Sequence, residues 1–300
     1  LQKYADNLSD STHRYGAAIW YYALAHNEKK VKDVLDLLIS LSLLHSVAYP
    51  PENEMDDHLD GLINSPKETI AGFVRTDYEA AKIVHRLLSG YATLRTFYKL
   101  RDGKDSNTLQ DHATKAKAAT ALMAVITSSD DNIRGGLYDE ERGAVVSVDF
   151  LLALLGEALV FVNQEDSVLT SQQIDTLLKA VEDIQSVPSY VYAVCKEFFD
   201  IVMNSAQGLK GSTPMDLLKK STSSMSGSSY AMTGSSMLAS QFQKSIRGSG
   251  VLSKEKVHRG WDWRTGLTAG ITSQDVLKIL RYGLAHDVAR TSILMADGKI

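Results

Sequence analysis

The stretch Val145–Val162, VVSVDFLLALLGEALVFV, limits what this chain can fold into more than any other. Fourteen of its eighteen residues are apolar, and no other part of the sequence is so dense. At about 1.5 Å per residue, a helix of that length approaches a bilayer span. Asp149 and Glu157 lie inside it and no basic cluster flanks it, so a membrane-crossing segment is not expected. On a helix, Asp149, Ala153, Gly156 and Val160 share one narrow stripe with Glu157 beside it, and the remaining circumference is apolar. A helix apolar nearly all round belongs inside a protein of fair size, and its small residues let a neighbour come close. Asp149 reads as a solvent-facing or capped residue of the first turn, favoured there by the helix dipole.

The rest of the composition agrees with a large helical core. The chain has 300 residues, 44% of them hydrophobic, and only five prolines. A net charge of −4 argues against direct nucleic-acid binding, which normally shows a basic excess. The single cysteine, Cys195, excludes an internal disulfide framework and a cysteine-based zinc site, and suits a reducing, intracellular setting. The chain starts at Leu1, which suggests a piece of a longer protein, so no targeting signal is read from its start.

Capping residues and breakers divide the chain into helices. One helix is expected over Tyr4–His26, capped by Ser9 or Ser11, and a leucine-rich one over Glu28–Val47 that stops at Tyr49-Pro50-Pro51. A short helix over Met55–Asn64 follows. Ser65-Pro66 with Glu68, and Thr76 with Glu79, mark two further starts, the second running to Arg101. An alanine-rich helix is expected over Asp111–Ser128, with loops at 104–111 and 130–143. Thr170 and Gln173 form a capping box before a helix over 171–186, and Pro188 opens a helix over 188–206. Thr213-Pro214 with Asp216 starts a short helix. Residues 221–250 are too rich in serine and glycine to bury a core and are expected to be flexible. Thr272 and Asp275 cap a last helix to Ala296, after the loop Arg259–Arg264, RGWDWR. The division is therefore a helical body at 1–220, the flexible segment, and a C-terminal loop and helix at 251–300 packing on the body. The fold class is all-α, an irregular α-solenoid of stacked helical hairpins without a fixed repeat.

Few residues point to chemistry. His258, His286-Asp287 and a later acid resemble the ligand order of metal-dependent phosphohydrolases, although that later acid is Asp297 at the chain end. Cys195 lies mid-helix among apolar residues and reads as inert. No motif implies a cofactor. The loop Arg259–Arg264 offers more: in an extended loop alternate residues face opposite ways, so one of Trp261 and Trp263 packs inward while the other ring, or Arg259 and Arg264, meets a partner. A helical groove that takes a peptide is a further reading.

The successive helix hairpins, the helix Asp33–Val47 ending in Tyr49-Pro50-Pro51 and the serine-rich segment together resemble the all-helical scaffold subunits of the nuclear pore, especially the ELYS-like type of fungi. That resemblance implies a non-catalytic subunit at the nucleus or nuclear envelope that docks to other protein subunits of a larger assembly.

Overall fold

A computed structural model describes residues 1–103, 112–133, 145–164, 167–206, 262–267 and 270–296. Among them are eleven α-helices and no strand. The expected loop 104–111, the start at Thr213-Pro214, the segment 221–250 and residues 134–143 of the glycine-rich loop lie outside the described residues.

Where the spacing predicts one helix over Tyr4–His26, the structure has two, α1 (Gln2–Thr12) and α2 (Tyr15–Leu24). His13 adopts the left-handed region at φ 52°, and the Arg14 N–H reaches back to Leu8 O at 3.1 Å. That closes α1 and lets α2 fold back on it. Glycine usually fills such a position, so histidine there gave no sequence signal. An ideal Cβ on Gly16 would stand 2.1 Å from Leu59 N, so α2 meets the start of α4 (Asp57–Asn64) backbone to backbone. The Asp56 carboxylate accepts from Gly16 N at 2.8 Å and Ala17 N at 3.1 Å, and from His58 N and Leu59 N of its own helix. One acid thus serves two helix N-termini, where the dipoles favour negative charge.

Asn27 caps α3 (Glu28–His45), accepting from Lys30 N at 3.1 Å. Every residue from Leu35 to Leu44 is buried, so α3 is central and packs on α2, on α6 (Tyr78–Arg101) and on α10 (Ser189–Ala206). Between α4 and α6 lies α5 (Pro66–Thr76); Ser65 stands at its N-cap with Pro66 following, but makes no side-chain capping bond. The cap of α6 is Asp77, accepting from Ala80 N at 3.0 Å, rather than the expected Thr76. The alanine-rich α7 (His112–Asp131) lies along α6, with Ala118 and Ala119 fully buried.

The densest apolar stretch is buried, as its composition requires, yet it is not one helix. A 3-10 turn over Val148–Phe150 leads into α8 (Leu151–Glu157), and a second 3-10 turn over Ala158–Phe161 leads out. All seven residues of α8 are buried, and it touches α7, α9 (Ser171–Ser186), α10 and α11 (Ser273–Ala296). Asp149 sits half-buried in the entry turn rather than facing solvent, and burial raises its carboxyl above the usual range. The capping boxes at Thr170–Gln173 and Thr272–Asp275 both form. The hairpins therefore stack irregularly: α10 returns to α3, and α11 lies across α8 and α9. No helix among the described residues is long and apolar enough to cross a membrane.

Candidate protein-docking surface

The geometry of the C-terminal part is set at the end of α3. Its last turn leaves carbonyls without helical partners, and the chain bends away at Ser46, φ 51°. Donors from three distant places meet them. Ser205 Oγ of α10 donates to Leu44 O at 3.2 Å, Arg264 Nη1 donates to the same oxygen at 3.2 Å, and Arg101 Nη2 of α6 donates to Ser46 O. Two guanidinium groups at a helix C-terminus match the sign of its dipole. Arg101 Nη1 also donates to Ser46 Oγ at 2.6 Å and lies 3.5 Å from Glu157 Oε2, while Tyr98 Oη donates to Glu157 Oε1 at 2.8 Å. Arg101 completes its set on Asp102 at 2.8 Å. Arg101 is 0% and Glu157 1% exposed, so this is a buried, paired network. Burial first, and then the Glu157 charge, push the Tyr98 hydroxyl well above its ordinary range. Further back on the same face of α6, Tyr91 Oη donates to Tyr49 O at 2.7 Å and Arg95 Nη1 to Pro50 O at 2.6 Å. The stripe Tyr91, Arg95, Tyr98, Arg101 thus holds the chain as it leaves α3.

The loop RGWDWR is fastened to this knot. Asp262 Oδ1 accepts from Arg264 N at 3.0 Å and from Nε at 2.8 Å, and Oδ2 accepts from Nη2 at 2.8 Å. Burial alone would raise the Asp262 carboxyl, but the hydrogen bonds and charge of Arg264 outweigh it and hold it at about 2. The Trp263 ring covers Gly156 of α8, where a Cβ would stand 2.4 Å from the ring carbon Cζ2, and faces Phe199 at 6.0 Å between centroids. The small stripe of α8 therefore admits an indole rather than another backbone. Asp262, Trp263 and Arg264 are all buried, because Trp263–Gly266 forms a 3-10 turn and the alternation of an extended loop does not apply. Of the four residues expected to contact a partner, Trp263 and Arg264 are turned into the protein; Arg259 and Trp261 lie outside the described residues.

Of the other candidate chemistries the described residues place His286, Asp287 and Cys195, while Asp297 lies outside them. Asp287 is 1% exposed and its Oδ2 accepts from Asn163 N at 3.0 Å, while Arg290 Nη1 donates to Gln164 O. The pair His286-Asp287 is thus split: His286 faces solvent, and Asp287 ties α11 to the turn that leaves α8. His258 lies outside the described residues. Among the described residues no group of three or more His, Cys, Asp or Glu side chains is placed to hold a metal ion. Cys195 is fully buried beside Val148 O, and burial pushes its thiol up to about 12, consistent with an inert side chain.

Among the described residues of α11, three large apolar side chains stay exposed: Ile279, Tyr282 and Val288. Gly283 presses on Val162, where a Cβ would stand 2.7 Å from Cγ2, and so seats α11 beside the turn Ala158–Phe161. Next to this contact runs a groove of about 540 Å³ lined by Leu159, Val160, Trp263, Leu267, Ile279 and Tyr282, with Asn163 and His286 at its rim. Ile279 is 41% and Tyr282 77% exposed. The helical spacing of α11 places Ile279 and Val288 with its core residues; the structure buries Val276, Leu280 and Leu284 and leaves those two outside.

Among the described residues the body is built of helices alone, tied internally by buried polar contacts, with an apolar groove beside α11. Over an alignment of 314 residues the chain is 48% identical to "Nucleoporin NUP85" of Chaetomium thermophilum; the alignment covers 100% of this chain and 27% of that protein. The chain thus spans about a quarter of the length of the curated relative it matches. The similarity supports a nucleoporin and does not confirm the ELYS-like type that the layout suggested. No protein-family model matches the chain. No solved structure matches it.

Proposed function

We propose that this chain is a non-catalytic helical scaffold segment of the nuclear pore complex, of the NUP85 kind, located at the nuclear envelope and holding other nucleoporin subunits. The observation that carries the reading is the identity of 48% along the whole chain, joined to a body built of helices alone among the described residues. Fluorescent tagging of the full-length protein at its own locus tests it: rim staining of the nucleus and co-purification with other nucleoporins are expected. Diffuse staining with no nucleoporin recovered overturns it.

Within RGWDWR the partner role falls to Arg259 and Trp261, since Trp263 and Arg264 hold the loop to the body. Trp261→Ala should leave the melting temperature nearly unchanged and weaken recovery of a partner by roughly 2 kcal/mol or more, the scale of interface hot spots. Trp263→Ala should lower the melting temperature, because it opens a cavity over Gly156. Equal thermal losses in both variants would make the whole loop a clasp.

A further inference from the structure

We infer that the groove beside α11 is the seat of an amphipathic helix from another protein subunit, one that carries acids beside its apolar row. The inference rests on the scaffold reading and narrows it to one surface and one partner chemistry. The apolar part of the argument is geometric. Ile279 and Tyr282 stand one turn apart on α11, and Leu159, Val160, Trp263 and Leu267 line the groove with them. Among the described residues the polar groups at the groove are the Asn163 amide, the His286 ring, the Tyr282 hydroxyl and the Trp263 indole N–H, against a lining that is otherwise apolar, and such a groove suits side chains spaced i, i+3, i+4 and i+7 on a helix. Beyond Tyr282 the exposed face continues through Ala285 and Ala289, small enough for a second helix axis to lie close.

Charge then selects the partner. Between Val276 and Arg290 the exposed residues of α11 include Lys278 and Arg281 and no acid, because Asp287 is turned inward onto Asn163. The acid of the first turn, Asp275, is already engaged by the Thr272 N–H and hydroxyl, at 3.1 and 2.6 Å, and lies 3.9 Å from Lys278. A chain of net charge −4 thus shows a locally basic helix face next to its exposed apolar groove. Acids on a docking helix would meet complementary charge there, and a basic helix would be repelled.

The test places a photo-reactive benzoylphenylalanine at Tyr282 in the full-length protein in its own cells, with the same group at Tyr190, 69% exposed on α10, as the control. Cross-linked peptides are sequenced, and nuclear-rim staining is read in the same cells. The expected result is a cross-link from position 282, absent from position 190, into a helical segment of another subunit with an apolar row and flanking acids. Lys278→Glu with Arg281→Glu should reduce that product about tenfold, the change worth ~1.4 kcal/mol, at an unchanged melting temperature. Cross-links only to this chain, to a second copy, or to a basic or non-helical segment overturn the inference, as does the absence of a product. Rim staining kept while the cross-link fails defeats the groove alone; rim staining lost in the unsubstituted protein defeats the scaffold reading.

Discussion

Leu155 and Glu157 stand two residues apart on α8, 0% and 1% exposed, and they hold the fold by opposite means. Leu155 works by excluding water and filling space, so any side chain of like size keeps most of its contribution. Glu157 works only through named partners, and its burial stabilises nothing unless Tyr98, Arg101 and Ser46 are all in place. The dry side of α8 supplies the bulk of the cohesion, while the polar side decides which helix ends meet.

The largest expected effect breaks the polar side. Arg101→Met leaves Glu157 buried without its cation and should cost about 3–5 kcal/mol in chemical unfolding. Adding Glu157→Met to it should restore much of the loss, because an apolar replacement of the whole pair costs far less than half a pair. No recovery in the double variant would mean that specific polar contacts, rather than the penalty of an unpaired charge, dominate. Leu155→Ala should cost about 2–5 kcal/mol, while Leu155→Met should stay below about 1.5 kcal/mol. A loss under about 1 kcal/mol for the alanine variant would place α8 at the periphery of the stability, not at its centre.

A smaller effect tests where the two sides join. Gly156→Ala pushes a methyl into the Trp263 ring, and overpacking of this kind costs about 1–3 kcal/mol. Tryptophan fluorescence should shift with it, since the displaced indole meets solvent. The smallest effect is a pH dependence on α3. Burial raises the Asp36 carboxyl from 3.8 to about 6, against the lowering effect of Lys32 at 2.7 Å. The folded state therefore holds an extra proton between about pH 4 and 6, and stability falls as pH rises through that window. Asp36→Asn should gain on the parent protein by about 1–2 kcal/mol between pH 4.5 and 7. A gain that does not change with pH would contradict this assignment.

How much the sequence disclosed follows from how far each determinant acts. Helix ends governed within three residues were legible: the stop at Tyr49-Pro50, the proline at the start of α5, and the boxes at Thr170–Gln173 and Thr272–Asp275. The break after Thr12 was not, since a left-handed histidine has no local mark and exists because α2 must reach Asp56, 40 residues on from Gly16. Apolar density in Val145–Val162 disclosed burial but not continuity, because burial is equally served by a short α-helix between two tighter turns. Of the docking surface, Trp263 and Arg264 were visible as residues and their inward direction was not, as it depends on a 3-10 turn and on Leu44 O, 220 residues away. The sequence set Glu157 beside the small stripe of an apolar run without giving it a partner, and only the fold names Arg101 and Tyr98.

The gathering of donors at the end of α3 also sets an order in time. Its carbonyls wait for Arg101, then Ser205, then Arg264, in the order in which a ribosome delivers them. At roughly 5–20 residues per second, the last donor follows Leu44 by on the order of 10–40 s. During that interval the leucine-rich helix has been made but its closing contacts have not, and its apolar flanks are open to holdase chaperones. The nascent chain can complete this corner only after Arg264 has been made, so the knot closes long after α3 itself has left the ribosome.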